Sequence, residues 1–126
     1  MLVVEDEYLS KQLMGLIIAR YGSFDSADDG AQALRAVKLA REEGRPYDLI
    51  FLDIVLPTMD GLTVLSEIRS HEASLGAMGA SKVIMVSALS DGETQRESRD
   101  HQCDAYMTKP FSKSMLESTI GKLFNN

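Results

Sequence analysis

The chain has 126 residues, enough for one compact domain over residues 1–126 with a single hydrophobic core and too few for a second domain of ordinary size. Hydrophobic residues at 44% and charged residues at 25% exclude a disordered composition, and a formal charge of −6 disfavours direct binding to nucleic acid phosphates. Cys103 is the single cysteine, which excludes an intrachain disulfide, and no stretch approaches the ~20 apolar residues of a membrane span, so a cytoplasmic domain with no membrane contact is expected.

The chain opens on a strand-like apolar run, residues 1–4, which ends in the acidic cluster Glu5-Asp6-Glu7. So abrupt a start suggests that the natural chain begins upstream or has been trimmed. Leu9, Leu13, Leu16, Ile17 and Arg20 then recur at helical spacing and predict an amphipathic helix whose apolar face carries the leucines, with a glycine stop at Tyr21-Gly22. Residues 23–27 read as a weak strand and Asp28-Asp29-Gly30 as a turn. Residues 31–43 predict a second helix with Ala33, Leu34, Val37 and Leu39 apolar, ending at Gly44 and Pro46.

The run Leu49-Ile50-Phe51-Leu52 is continuous and apolar, as a strand buried on both faces of a parallel sheet would be, and Asp53 falls where that strand leaves the sheet. A third helix is expected over residues 62–69, starting near Asp60-Gly61. Residues 71–81 read as the end of that helix and a mobile connection without chemistry. Residues 82–87 predict another buried strand. A very polar helix follows over 90–102, with a cap at Ser90 or Asp91, and suggests a transient contact face. A last strand over 104–108 and a helix over 112–124, with Met115, Leu116, Ile120 and Leu123 inward, complete the chain. Five strands alternating with five helices imply right-handed crossovers and a doubly wound α/β sandwich around a parallel sheet.

In such sheets functional groups gather beyond the carboxyl ends of the strands. The residues there are Glu5 and Asp6, Asp53, Ser87 and Lys109. Crowded carboxylates repel, by on the order of 4 kcal/mol at about 4 Å and an effective dielectric near 20, so a neutralising partner is needed. Mg²⁺ with oxygen ligands is the expected one. An aspartate nucleophile, a lysine point charge and a hydroxyl donor around such an ion are the parts of phosphoryl transfer, with Asp53 as acceptor. Taken singly, each residue has a plainer reading: Glu5-Asp6-Glu7 as a helix-start cluster, Ser87 as a satisfied strand-end hydroxyl, Lys109 as a surface lysine. His71 and His101 lie in polar segments and read as surface residues, and Cys103 as a small buried one.

VVEDE, LIFLDIVLPTMDG, VIMVSA and DAYMTKPF, in this order and each at a strand end, resemble the receiver domains of two-component response regulators over essentially the whole chain. The resemblance implies strand order 2-1-3-4-5 and phosphorylation of Asp53 by a histidine kinase or phosphotransfer protein. It also implies Mg²⁺ on Asp6, Asp53 and the Val55 main-chain carbonyl, with Glu5 acting through water because aspartate is more usual at its position. Ser87 and Tyr106 match the switch pair, Lys109 the phosphate-facing lysine, and the Lys109–Pro110 bond is expected cis. The switch is expected to alter the surface of the fourth helix, fifth strand and fifth helix, in a monomer or a phosphorylation-dependent dimer.

No effector sequence follows Phe124-Asn125-Asn126, so output is expected through a target protein or through a removed effector domain. Apolar Val55 and Leu89, each two residues beyond a site residue, cannot orient water, and slow self-dephosphorylation is expected. Apart from that self-reaction no enzyme activity is expected. A dehalogenase-type phosphatase would need a second aspartate two residues beyond Asp53, where Val55 stands. A flavin site would need a phosphate loop where this chain has acids. A receiver-like module that binds partners without phosphorylation is the alternative, against which the retained Asp6, Asp53 and Lys109 argue.

Overall fold

In the computed structural model, which describes residues 1–76, 79–88 and 92–124, strands and helices alternate along the chain. The strands are β1 (Leu2–Val4), β2 (Asp25–Ala27), β3 (Leu49–Asp53), β4 (Lys82–Ser87) and β5 (Ala105–Thr108). The helices are α1 (Tyr8–Ile18), α2 (Gly30–Glu42), α3 (Gly61–Ser74), α4 (Gly92–Asp100) and α5 (Lys113–Phe124), with a single 3₁₀ turn at Ala19–Tyr21 after α1. All strand pairs are parallel, in the order β2-β1-β3-β4-β5. This is the doubly wound order expected from the sequence.

Successive strand residues point to opposite sheet faces, and here that alternation sorts the core into two layers. Leu2 and Val4, Ile50 and Leu52, Val83 and Met85 face α2 and α3, meeting Ala33, Val37, Val64, Leu65 and Ile68. Val3, Phe51, Ile84, Val86 and Met107 face α1 and α5, meeting Met14, Ile17, Ile18, Leu116 and Ile120. Asp29 and Asp60 cap α2 and α3 by accepting from the N–H groups of Gln32 and Thr63. The expected cap at Ser90 or Asp91, and Leu89, lie outside the described residues.

Several expectations about helix faces are corrected. Leu9, Leu13 and Leu16 are 73%, 54% and 78% exposed; of the expected apolar set only Ile17 is buried, and it shares that face with Met14, Gly15 and Ile18. Gly15 lets Phe24 lie against the helix, since a Cβ there would sit 2.6 Å from its ring. Leu39 and Met115 are likewise exposed. Helix α3 ends at Ser74, within the segment expected to hold its end, and a buried polar network anchors this last turn. Glu72 accepts from Arg41 Nη2 at 2.9 Å, from Arg69 Nη1 at 2.8 Å and from the Ser81 N–H at 2.8 Å, so α2, α3 and the start of β4 share one carboxylate. Arg69 also donates to Asp104 and to the Gln102 carbonyl, which fixes the approach to β5. His71 is half-buried, with its Nε2 enclosed, rather than a surface residue. Cys103 is half-buried as well, short of the full burial expected.

Candidate functional site

Three ladders run one residue past the strands they belong to. The Glu5 N–H donates to Ala27 O, the Ile54 N–H to Val86 O and the Lys109 N–H to Ser87 O. Glu5, Asp53 and Lys109 are therefore held at the carboxyl end of the sheet by backbone bonds. Each follows an apolar residue by two positions, after Val3, Phe51 and Met107, so all three project from the α1/α5 face. Lys109 Nζ lies 2.7 Å from Glu5 Oε2 and 3.0 Å from Asp53 Oδ2. Asp53 Oδ1 accepts the Val55 N–H at 3.0 Å.

Glu5 and Asp53 are each only 6% exposed, whereas Asp6 is exposed. Burial raises the Glu5 carboxyl above its ordinary range; Lys109 opposes that shift and Asp53 adds to it. Burial pulls the Lys109 ammonium down, but its hydrogen bonds to Glu5 and Asp53 outweigh burial and hold it above its usual value. One oxygen from each of Glu5, Asp6 and Asp53 can come within 4.8 Å of the others. Three carboxylates against one ammonium leave an excess of negative charge, and an all-oxygen donor set suits a hard divalent cation. The donor chemistry fits Mg²⁺.

The loop after Asp53 is fixed from below by α3. The Gly61 N–H donates to Ile54 O at 2.7 Å, and a Cβ on Gly61 would sit 2.2 Å from Asp53 O, so only glycine permits this approach. Val55, whose carbonyl the sequence nominated as a metal ligand, is exposed two residues beyond Asp53. The Lys109–Pro110 peptide is cis.

The remaining nominated residues follow the other face of their strands. Ser87 is fully buried at the end of β4 and follows Met85 by two positions, so it shares the α2/α3 face. Tyr106 is half-buried on the same face and packs against that core layer. Ser87 and Tyr106 thus follow the α2/α3 face along their strands, while Glu5, Asp53 and Lys109 follow the α1/α5 face along theirs. Beside the charged group is a cavity of about 410 Å³ that the sequence did not announce, walled by Leu13 and Met14 of α1 and by Pro110 and Phe111 after β5. No local signal could have found it, because its walls come from segments about a hundred residues apart.

A five-stranded doubly wound sheet with an acidic cluster and a lysine at the carboxyl ends of its strands defines the receiver class of signalling domains. The sequence profile described as Response regulator receiver domain matches residues 1–121, and the chain belongs to that family, whose members act in two-component systems. It is 32% identical over 126 residues to the hybrid signal transduction histidine kinase L of Dictyostelium discoideum, covering 99% of this chain and 7% of that protein. It is 29% identical over 119 residues to the chemotaxis protein CheY of Halobacterium salinarum, covering 94% of this chain and 91% of that one. CheY in the CheX-CheY-BeF₃-Mg²⁺ complex from Borrelia burgdorferi superposes with a TM-score of 0.82 at 26% identity, over 98% of this chain and 87% of that one.

Proposed function

We propose that this receiver domain accepts a phosphoryl group on Asp53 from a histidine kinase or histidine phosphotransfer protein and signals through the change that follows. The observation that carries the reading is the bridge from Lys109 to Asp53 and Glu5 at the carboxyl end of the sheet. It holds the Asp53 carboxylate in place with a cation beside it, where a phosphoryl group would bring further negative charge. An Asp53 carboxylate oxygen attacks phosphorus, the bond from phosphorus to the donor's leaving group breaks, and the leaving group keeps the electron pair. Asp6, Asp53 and the Val55 carbonyl would hold Mg²⁺, with Glu5 acting through water. Mg²⁺ supplies charge neutralisation on the phosphoryl oxygens. The likeness to a CheY found with BeF₃ and Mg²⁺ supports the assignment.

Ser87, at the end of the neighbouring strand, would donate its hydroxyl to a phosphoryl oxygen, and Tyr106, one strand further on the same face, would turn toward the space this vacates. The surface of α4, β5 and α5 then changes for a target protein or an attached effector. In this reading the domain is not an enzyme beyond its own phosphorylation and dephosphorylation.

The test is intact mass after incubation with acetyl phosphate, with and without Mg²⁺, on the parent and on Asp53→Asn. A Mg²⁺-dependent gain of one phosphoryl group that disappears in Asp53→Asn is the expected result. Absence of any gain from acetyl phosphate and from a phosphorylated histidine donor would favour a phosphorylation-independent binding module.

A further inference from the structure

We infer that the cavity beside Asp53 receives the acyl group of small-molecule donors, so that acyl phosphates with a bulky apolar acyl group phosphorylate this domain in preference to acetyl phosphate. The inference rests on Asp53 being the phosphoacceptor. Asp53, Glu5 and Lys109 all line the cavity, and the apolar side chains Val3, Phe51 and Val86 of the same sheet face line it with them. The charged end and the apolar walls are therefore one continuous space. Leu13 and Met14 close it from α1, Pro110 and Phe111 from the turn after β5.

About 410 Å³ is within the size range of sites that enclose whole small ligands and far exceeds what an acetyl group fills. Apolar walls next to a polar anchor are the arrangement that orients a ligand with one charged and one apolar end. With the phosphoryl group beside Lys109 and Asp53, the donor's acyl end must lie away from the attacking oxygen, and an aromatic acyl group directed into the cavity would bury its ring against Leu13, Met14 and Phe111. An Asp53 oxygen forms the new bond to phosphorus while the bond from phosphorus to the acyl oxygen breaks; the carboxylate leaves with the electron pair. The gain belongs to binding and should lower KM more than it raises kcat.

The experiment compares initial rates of phosphoryl incorporation from benzoyl phosphate and acetyl phosphate, with Mg²⁺, by intact mass. Each rate is divided by the donor's rate with a free carboxylate acceptor in solution, which removes intrinsic reactivity. A corrected kcat/KM ratio of roughly tenfold or more for benzoyl phosphate, expressed in KM, is expected for burying several additional carbons. Leu13→Gln, at a half-exposed position that should tolerate it, makes a wall polar; Ser10→Met narrows the cavity from α1. Either variant should shrink the ratio severalfold. A ratio near one in the parent, or a ratio untouched by both variants, overturns the inference and leaves Asp53 phosphorylation standing. Failure of both donors to phosphorylate the parent overturns both readings.

Discussion

At the scale of single residues, one lysine settles an otherwise unfavourable arrangement. Glu5 and Asp53 are both buried at the carboxyl end of the sheet, and Lys109 Nζ donates to each. Two buried like charges without a shared cation would cost several kcal/mol. Tyr47 shows a different local pairing: its hydroxyl donates to Asp25 Oδ2 at 2.6 Å, tying the approach to β3 to the edge strand β2. Burial, followed by the hydrogen bond to Asp25 and the charge of that carboxylate, pushes the phenol well above its ordinary 10.0. The folded state therefore keeps this proton after the unfolded chain has lost it. The contribution to stability is complete below the ordinary value and falls away as pH rises beyond it. Urea midpoints measured from about pH 9 to pH 11 should decline in the parent and decline less steeply in Tyr47→Phe, which lacks the ionising group.

At the scale of elements, α1 and α3 show where local pattern stops being informative. Helix α1 carries apolar residues on two faces, Leu9, Leu13 and Leu16 on one and Met14, Ile17 and Ile18 on the other. Periodicity alone cannot choose between them. The choice was made by the sheet, which offers Val3 and Phe51 and a neighbour in α5 to only one of the two. The exposed leucine stripe is what remains. In α3 the polar residues Arg69 and Glu72 are both drawn inward by Arg41, Ser81 and Asp104, partners from other parts of the chain. Glu72→Ala should destabilise the domain by about 3–5 kcal/mol, because two largely buried guanidinium groups lose their common acceptor. Equilibrium urea unfolding of parent and variant measures this, and a loss below about 1 kcal/mol would show that solvent replaces the carboxylate.

At the scale of the whole molecule, the sheet order places the acidic end of β1 beside β3, and Lys109 reaches both from the far edge at β5. A cation bound by Glu5, Asp6 and Asp53 holds only the folded chain and should raise its stability by mass action. Mg²⁺ at a hundredfold excess over its Kd should add about 2.7 kcal/mol, seen as a higher thermal midpoint that EDTA reverses and that Asp6→Asn abolishes. A midpoint indifferent to Mg²⁺ in the parent would remove the metal from the proposed site.

Much of this architecture was legible in the sequence alone. Continuous apolar runs marked the buried strands, their alternation with helices required a parallel doubly wound sheet, and the positions of Glu5, Asp6, Asp53, Ser87 and Lys109 at strand ends followed from that. Those properties reside in neighbouring residues and in chain order. Which stripe of α1 is buried, that Glu72 belongs to an interior network, that Ser87 and Tyr106 share the face opposite Lys109, and that a cavity opens beside Asp53 were decided only in the tertiary structure. Each depends on contacts between residues far apart in the chain, and a sheet face or a cavity wall exists only once the strands have been assembled in their final order.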